Sequence, residues 1–204
     1  MRLFIAIDSD PALHPVLAQV INDLRSSGAD AKWTTPPQWH VTLKFFGEVG
    51  AQAVPEIRDA VERLAASSPP ALLRLNGVGV FGGLNPRVVF AKIEDPTGTL
   101  ERLAGAVDRG MRPLGFHSDN HVFNPHLTLA RLRSRRNAPA LLDEVRKEAA
   151  NRRGEWVARE LVLYRSVLKP AGAEYEALHR SPLRLAGGGD HAKPQLNEAR
   201  SDSR

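Results

Sequence analysis

The chain has 204 residues, of which 42% are hydrophobic and 25% are charged, a composition typical of a soluble globular protein with a substantial core. It contains no cysteine, which excludes disulfides, thiolate metal sites and thiol nucleophiles. The formal net charge of +5 favours an anionic partner. Because no apolar stretch has the length of a membrane span or the form of a signal peptide, we expect a cytoplasmic protein without membrane contact.

The first half of the chain alternates predicted strands with amphipathic helices. Residues 2–8 alternate as a strand does, and Ser9, Asp10 and Pro11 then form the start of a helix that ends near residue 28. A proline-rich loop at 34–38 leads into a strand that begins near His40 and stops at Gly47. Residues 54–64 carry apolar side chains at helical spacing and predict a second helix.

The second half repeats this kind of alternation. Residues 72–81 and 87–93 predict a hairpin, 97–114 a helix, and 138–150 another helix that follows a strand beginning at His126. We expect one long strand over 155–168 and a last strand over roughly 174–178, with 183 as an alternative end. A polar, glycine-rich tail at 185–204 is expected to be disordered. The order of elements predicts two similar lobes.

Two tetrapeptides stand out: His40-Val41-Thr42-Leu43, and later His126-Leu127-Thr128-Leu129. Alternate side chains of a strand share a face, so each tetrapeptide places an imidazole beside a hydroxyl. Alternation beyond the first copy puts Lys44 and Phe46 on the face of His40 and puts Phe45 on the apolar face. Lys44 is then a candidate for contact with phosphate or with water, and Phe46 for stacking on a base or for packing in a cleft wall.

If the two strands face one groove, the pair of imidazoles suits a reaction with two proton transfers. A neutral His40 or His126 can take a proton from a nucleophile while the other, protonated, gives one to a leaving group. The hydroxyls of Thr42 and Thr128 can donate hydrogen bonds to the oxygens of a tetrahedral anion. A cyclic phosphodiester fits this arrangement, and the scheme requires neither metal nor cofactor.

These two motifs and their flanks resemble the signatures of the two-histidine phosphoesterase superfamily, and within it the RNA 2′,3′-cyclic phosphodiesterases that are also described as 2′-5′ RNA ligases. The resemblance implies an α+β, bilobal and pseudo-symmetric fold over residues 1–184, with antiparallel sheets lining a central cleft and helices outside. It implies metal-independent hydrolysis of RNA ends to a 2′-phosphate, and joining to a 5′-hydroxyl as a 2′-5′ linkage.

By the same resemblance, His40 protonates the departing 3′ oxygen and His126 activates water, although the sequence leaves the reversed roles open. The resemblance also places Arg131 near the phosphate. Its odd offset from His126 points it to the opposite face of a regular strand, so either a bulge or a strand end turns it, or its contact is indirect. Arg131 begins a cationic run with Arg133, Arg135 and Arg136 that indicates either RNA backbone contact or a solvated basic loop.

Three alternatives remain open. His117 and His121, with His126 nearby, form a thin hypothesis of a zinc site, which we set aside because they lie in a predicted loop. A second alternative is a non-catalytic module that binds RNA ends. A third is an enzyme for small cyclic nucleotides or 2′-5′ oligonucleotides. We expect a monomer.

Overall fold

The protein has an α+β fold, as expected, and its strands form an antiparallel sheet. The computed structural model describes residues 1–118, 122–149, 153–169 and 172–184, so the tail at 185–204 lies outside the described residues. The strands are Arg2–Asp8 (β1), Ala31–Trp33 (β2), His40–Glu48 (β3), Ala71–Phe81 (β4), Val88–Glu94 (β5), His126–Leu132 (β6), Arg153–Ala158 (β7), Glu160–Lys169 (β8) and Gly172–Pro182 (β9). They pair in the order β7-β4-β5-β6-β3-β1-β8-β9, and β2 pairs with β6.

In the described parts of the chain, four α-helices accompany the sheet: His14–Arg25 (α1), Val54–Ala66 (α2), Thr99–Met111 (α3) and Ala138–Glu148 (α4). Each buries an apolar stripe; in α1 the buried side chains are those of Leu17, Val20, Ile21 and Leu24. Among the described residues, no helix is long and apolar enough to cross a membrane.

The sheet has two four-stranded halves, which are the two lobes that the element order predicts. One half is β7-β4-β5-β6 and the other is β3-β1-β8-β9. They meet at the two motif strands, where Val41 on β3 pairs with Leu127 on β6. The two motifs, each with one histidine and one threonine, therefore lie side by side at the centre of one continuous sheet, rather than on two separate sheets.

The first strand is buried on both faces because each face packs in an apolar cluster. Leu3, Ile5 and Ile7 belong to the main core. Phe4 and Ala6 face the other way, into a smaller cluster with Val162, Tyr164 and the half-buried Tyr175. This aromatic cluster forms the floor beneath the first motif histidine.

The expectation of one long strand over 155–168 is wrong. The chain forms β7, which pairs with β4 in one lobe, and then β8, which pairs with β1 and β9 in the other. The two strands are separated at Arg159, where neither glycine nor proline marks the break. Their burial does differ: Trp156 and Ala158 are buried around the exposed Val157, whereas 161–164 are buried continuously.

Candidate active site

Each motif strand has a bulge directly after its threonine. On β3, Ala6 of β1 pairs with Thr42 but Ile5 pairs with Lys44, which leaves Leu43 as an extra residue. On β6, Phe90 of β5 pairs with Thr128 but Val89 pairs with Ala130, which leaves Leu129 as an extra residue. A bulge shifts the alternation of side chains by one position. The residue five places after each histidine therefore returns to the face of that histidine.

On β3 the bulge places Phe45 in the cleft. Phe45 is 59% exposed and lines the same cavity as His40 and Thr42. The expectation that Lys44 and Phe46 share the face of His40 is wrong, because it assumed an unbroken alternation. Lys44 is only 4% exposed, and Phe46 packs edge to face on Phe116 with ring centroids 4.7 Å apart.

Buried Lys44 has protein partners for its charge. Its Nζ donates to Oδ1 of Asp108 at 2.8 Å and to the carbonyl oxygen of His117 at 2.9 Å. The hydrogen bonds that Asp108 accepts from Lys44 and Ser118 hold the pKa of this carboxyl well below its usual range. Lys44 thus anchors β3 to α3 and to the segment that follows it, and it is not presented to a ligand at the motif cavity.

On β6 the same kind of bulge turns Arg131 into the cleft. Arg131 lines the cavity beside His126 and Thr128, despite its odd offset in the sequence. The cavity has a volume of about 130 Å³, which is small for a whole nucleotide site. Its walls come from β2, β3, β6 and β9 and from the loop before β3, and its lining is Lys32, Trp33, Thr34, Gln38, His40, Thr42, Phe45, His126, Thr128, Arg131, Ala173 and Tyr175.

The orientation of His126 is fixed by one hydrogen bond. Its Nδ1 lies 2.8 Å from the carbonyl oxygen of Asn124, which can only accept, so Nδ1 carries a proton. In the neutral ring, Nε2 is then left with a free lone pair. Phe81 and Phe90 pack against the ring, with centroids 4.9 and 5.4 Å from it.

His40 is held in an aromatic setting. Its ring lies 4.9 Å from that of Phe4 and 5.1 Å from that of Tyr175, and it stacks on Tyr164 at 5.9 Å between centroids. Burial lowers the pKa of His40 to about 4; the carboxylate of Asp8 opposes this shift, and His126 and Arg131 add to it. In the protein without a ligand, His40 is therefore neutral at pH 7.

Asp8 is itself held by a small polar network. It accepts a hydrogen bond from the hydroxyl of Tyr164 at 2.7 Å and from the guanidinium of Arg180 at 2.9 Å. Burial, together with this bond to Asp8, raises the pKa of the Tyr164 hydroxyl above its ordinary value. Tyr164 and Arg180 thus hold in place the Asp8 carboxylate, which opposes the lowering of the His40 pKa.

The two motif threonines have hydroxyls that are available to a ligand. Among the hydrogen bonds found within the described parts of the chain, none involves the hydroxyl of Thr42 or of Thr128. Both side chains line the cavity between the two histidines. Two hydroxyl donors, the guanidinium of Arg131 and two imidazoles thus surround a small space, which suits a tetrahedral anion and proton transfer on either side of it.

Comparison with known proteins agrees with this geometry. A sequence profile of the 2′-5′ RNA ligase superfamily matches residues 13–169. The chain belongs to this superfamily. An RNA 2′,3′-cyclic phosphodiesterase of Archaeoglobus fulgidus is 34% identical over 179 residues, covering 87% of this chain and 98% of that protein. One from Thermus thermophilus is 34% identical over 202 residues, covering 96% and 94%.

Solved structures show the same superfamily fold. The crystal structure of a Thermus thermophilus protein matches with a TM-score of 0.75 at 30% identity, covering 91% of this chain and 99% of that one. Escherichia coli LigT complexed with 3′-AMP matches with a TM-score of 0.67 at 24% identity, covering 89% and 97%. At that identity the second match is evidence of the fold alone.

Seven residues that line the cavity of this superfamily member were not predicted from the sequence: Lys32, Trp33, Thr34, Gln38, Phe45, Ala173 and Tyr175. Phe45 lies five residues after His40, and Arg131 lies five residues after His126. This shared offset is the one feature of the sequence that could have placed Phe45 in the cavity. Thr34 lies in a proline-rich loop, and Tyr175 lies in a strand with no motif. Neither carried a local signal.

Of the residues in the zinc hypothesis, His121 lies outside the described residues. Within the described ranges, no group of three or more His, Asp or Glu side chains is placed to hold a metal ion. The backbone carbonyl of His117 accepts a hydrogen bond from Lys44.

Proposed function

We propose that the protein is an RNA 2′,3′-cyclic phosphodiesterase that opens the terminal cyclic phosphate to a 2′-phosphomonoester. The observation that carries this proposal is the single small cavity into which both histidines, both motif threonines and Arg131 project. The names of the relatives, which cover most of the chain at 34% identity, support the same reaction.

In the proposed reaction, His126 is the general base. Its Nδ1 proton is held by the carbonyl of Asn124, so Nε2 can accept a proton from water as the water oxygen bonds to phosphorus. Protonated His40 gives its proton to the 3′ oxygen as the bond from phosphorus to that oxygen breaks. Each transfer contributes roughly a hundred-fold to ten-thousand-fold in rate.

His40 must gain a proton before it can act as the acid. Its pKa of about 4 in the free protein reflects burial and repulsion from His126 and Arg131. A bound phosphate brings a negative charge next to all three groups, which favours the protonated form of His40. The substrate thereby helps to create the acid that its own opening requires.

Thr42, Thr128 and Arg131 are proposed to hold the phosphate. Hydroxyl and guanidinium donors stabilise the negative charge that grows on the non-bridging oxygens in the transition state. Phe45 lies at the rim, where its exposed ring can stack on the terminal base. A 5′-hydroxyl in place of water gives a 2′-5′ linkage by the same proton transfers.

The test is incubation of the purified protein, in the presence of EDTA, with a short RNA that ends in a 2′,3′-cyclic phosphate. We expect a 2′-phosphate, identified by comparison with standards of both isomers. A 3′-phosphate would overturn the choice of leaving oxygen, and loss of turnover in EDTA alone would favour a metal enzyme. Binding without turnover would favour the RNA-binding module, and turnover confined to cyclic mononucleotides or 2′-5′ oligonucleotides would change the substrate class.

A further inference from the structure

The cleft has two ends of different chemistry. On one side of the motif cavity lies a space of about 870 Å³, walled partly by the aromatic rings of Phe45, Phe81 and Phe123. Glu101 and the ion pair of Lys44 with Asp108 also line it. Aromatic walls suit a base or other uncharged group, and the Glu101 carboxylate repels phosphates. A polyanionic strand is therefore expected to leave the cavity on the other side.

On that other side, the chain continues past the end of β6 with further arginines, of which Arg133 is the first. The backbone N–H of Arg133 donates to the carbonyl oxygen of Asp30 at 2.9 Å, which continues the pairing of β6 with β2 past Leu132. The strand β6 ends at Leu132, and Arg133 lies in the bend directly after it. Arg131 thus has a second arginine two residues further along the chain, just beyond the end of its strand.

Three more arginines surround this point. Arg135 and Arg136 follow in the turn before α4, and Arg87 lies beside the end of β6, where its carbonyl oxygen accepts from the N–H of Leu132 at 2.9 Å. We call Arg87, Arg133, Arg135 and Arg136 the β6 arginine patch. All four side chains are exposed.

No ion pair among the described residues neutralises the patch. The ion pairs found within the described residues occupy arginines elsewhere, such as Arg74, Arg165 and Arg180, and none includes Arg131 or a member of the patch. Lone surface arginines are ordinary, but these four are all exposed and lie near the end of the strand that carries Arg131 into the cavity lining, so positive charge is concentrated there. Such a concentration of positive charge attracts phosphates and makes binding dependent on salt.

We propose that the β6 arginine patch binds the phosphates of the RNA strand that leads to the cyclic end. This inference rests on the proposed function and names the substrate class for the same site: a strand of several nucleotides, with Arg133 taking the phosphate next to the reacting group. The strand enters along β6, and its terminal base lies toward Phe45.

The test compares two substrates that carry the same reacting group, a nucleoside 2′,3′-cyclic phosphate and a trinucleotide with the same terminal base and cyclic end. For the unaltered protein we expect a higher kcat/KM on the trinucleotide. In the triple variant Arg133→Gln, Arg135→Gln and Arg136→Gln, the ratio of the two kcat/KM values is expected to fall roughly tenfold at low salt. The logarithmic slope of KM for the trinucleotide against salt should decrease by about 0.7 for each phosphate that the variant no longer neutralises.

The matched control is Arg58→Gln, Arg63→Gln and Arg109→Gln, which removes the same charge from the exposed surface of α2 and α3. This control is expected to keep the ratio of the unaltered protein. No preference for the trinucleotide in the unaltered protein, or an equal fall of the ratio in both triple variants, overturns the inference. Absence of turnover on both substrates would instead count against the proposed function itself.

Discussion

Thr34 and Trp39 are joined by a hydrogen bond of 2.9 Å from the indole Nε1 to the threonine Oγ1. The same hydroxyl donates to the carbonyl oxygens of Thr128 and Leu129, at 2.9 and 3.0 Å. Trp39 precedes the first motif histidine, and Leu129 is the bulged residue of the second motif. One half-buried hydroxyl therefore links the two motifs, at a place where the register of β3 with β6 comprises one pair, Val41 and Leu127.

We expect Thr34→Val to misplace the two histidines relative to each other. Valine keeps the shape but leaves the indole N–H of Trp39 buried without a partner, which costs about 1 to 3 kcal/mol. Turnover should fall more than KM rises, and Thr34→Ser should restore most of the activity because the hydroxyl is retained. The measurements are kcat and KM on a cyclic-phosphate RNA together with urea unfolding. Equal kcat in the valine and serine variants would contradict this positioning role.

His40→Ala and His126→Ala are each expected to lower kcat by roughly a hundred-fold to ten-thousand-fold, because each removes one proton transfer. Thr42→Ala and Thr128→Ala should lower kcat less, since the other donors still hold the phosphate. Steady-state kinetics on the cyclic-phosphate RNA give the comparison, and circular dichroism checks that each variant is folded. Activity like that of the unaltered protein in either histidine variant would exclude the two-histidine mechanism.

Phe45 and Phe46 are adjacent in sequence but are expected to respond in opposite ways to alanine substitution. Phe45→Ala removes an exposed ring and should raise KM for RNA by a factor corresponding to about 1 to 3 kcal/mol of stacking, with little change in stability. Phe46→Ala removes a ring packed on Phe116 and should lower the free energy of unfolding by about 3 kcal/mol. Kinetics and urea unfolding of both variants check this. If Phe46→Ala alone raised KM, the result would instead support an unbroken strand in which Phe46, and not Phe45, shares the face of His40.

The ion pair of Lys44 with Asp108 is expected to matter for stability in an asymmetric way. Asp108→Asn leaves a cation that is nearly inaccessible to water and should lower the free energy of unfolding by about 3 kcal/mol. Lys44→Met should cost less, because the Asp108 carboxylate keeps its hydrogen bonds to Arg112 and Ser118. A double variant less destabilised than the sum of the two confirms the coupling. Additive effects in urea unfolding would show that the pair contributes no coupling energy.

His40 should make the protein less stable in mild acid. Its pKa is about 4 in the folded protein and 6.5 without the fold, so between these values the unfolded chain binds more protons and the free energy of unfolding rises with pH. The contribution is complete above about pH 6.5 and is lost as the pH falls toward 4. Between pH 7 and pH 5, the unaltered protein should lose about 2 kcal/mol more than His40→Gln does in urea unfolding. Equal losses would show that the fold does not depress this pKa.

The sequence by itself determined the helices and the pairing of a histidine with a threonine in each motif. Local patterns predict the helices, because apolar residues three or four positions apart, such as Leu17, Val20 and Leu24, share one face only in a helix. The motif chemistry is local too, since His40 and Thr42, like His126 and Thr128, are two residues apart in a strand and share a face. These pairs could therefore be identified without coordinates.

Tertiary structure alone decided what lies beyond each threonine. The bulges at Leu43 and Leu129 arise from how β3 and β6 pair with β1 and β5, and they reverse the faces of Lys44, Phe45 and Arg131. The hydrogen bond from Thr34 to the carbonyl of Thr128 spans 94 residues, and the pKa of His40 depends on burial beneath strands remote in sequence. The face on which a side chain lies after a bulge, a hydrogen bond across 94 residues and the pKa of a buried group all depend on residues that only folding brings together. No local pattern in the chain encodes them.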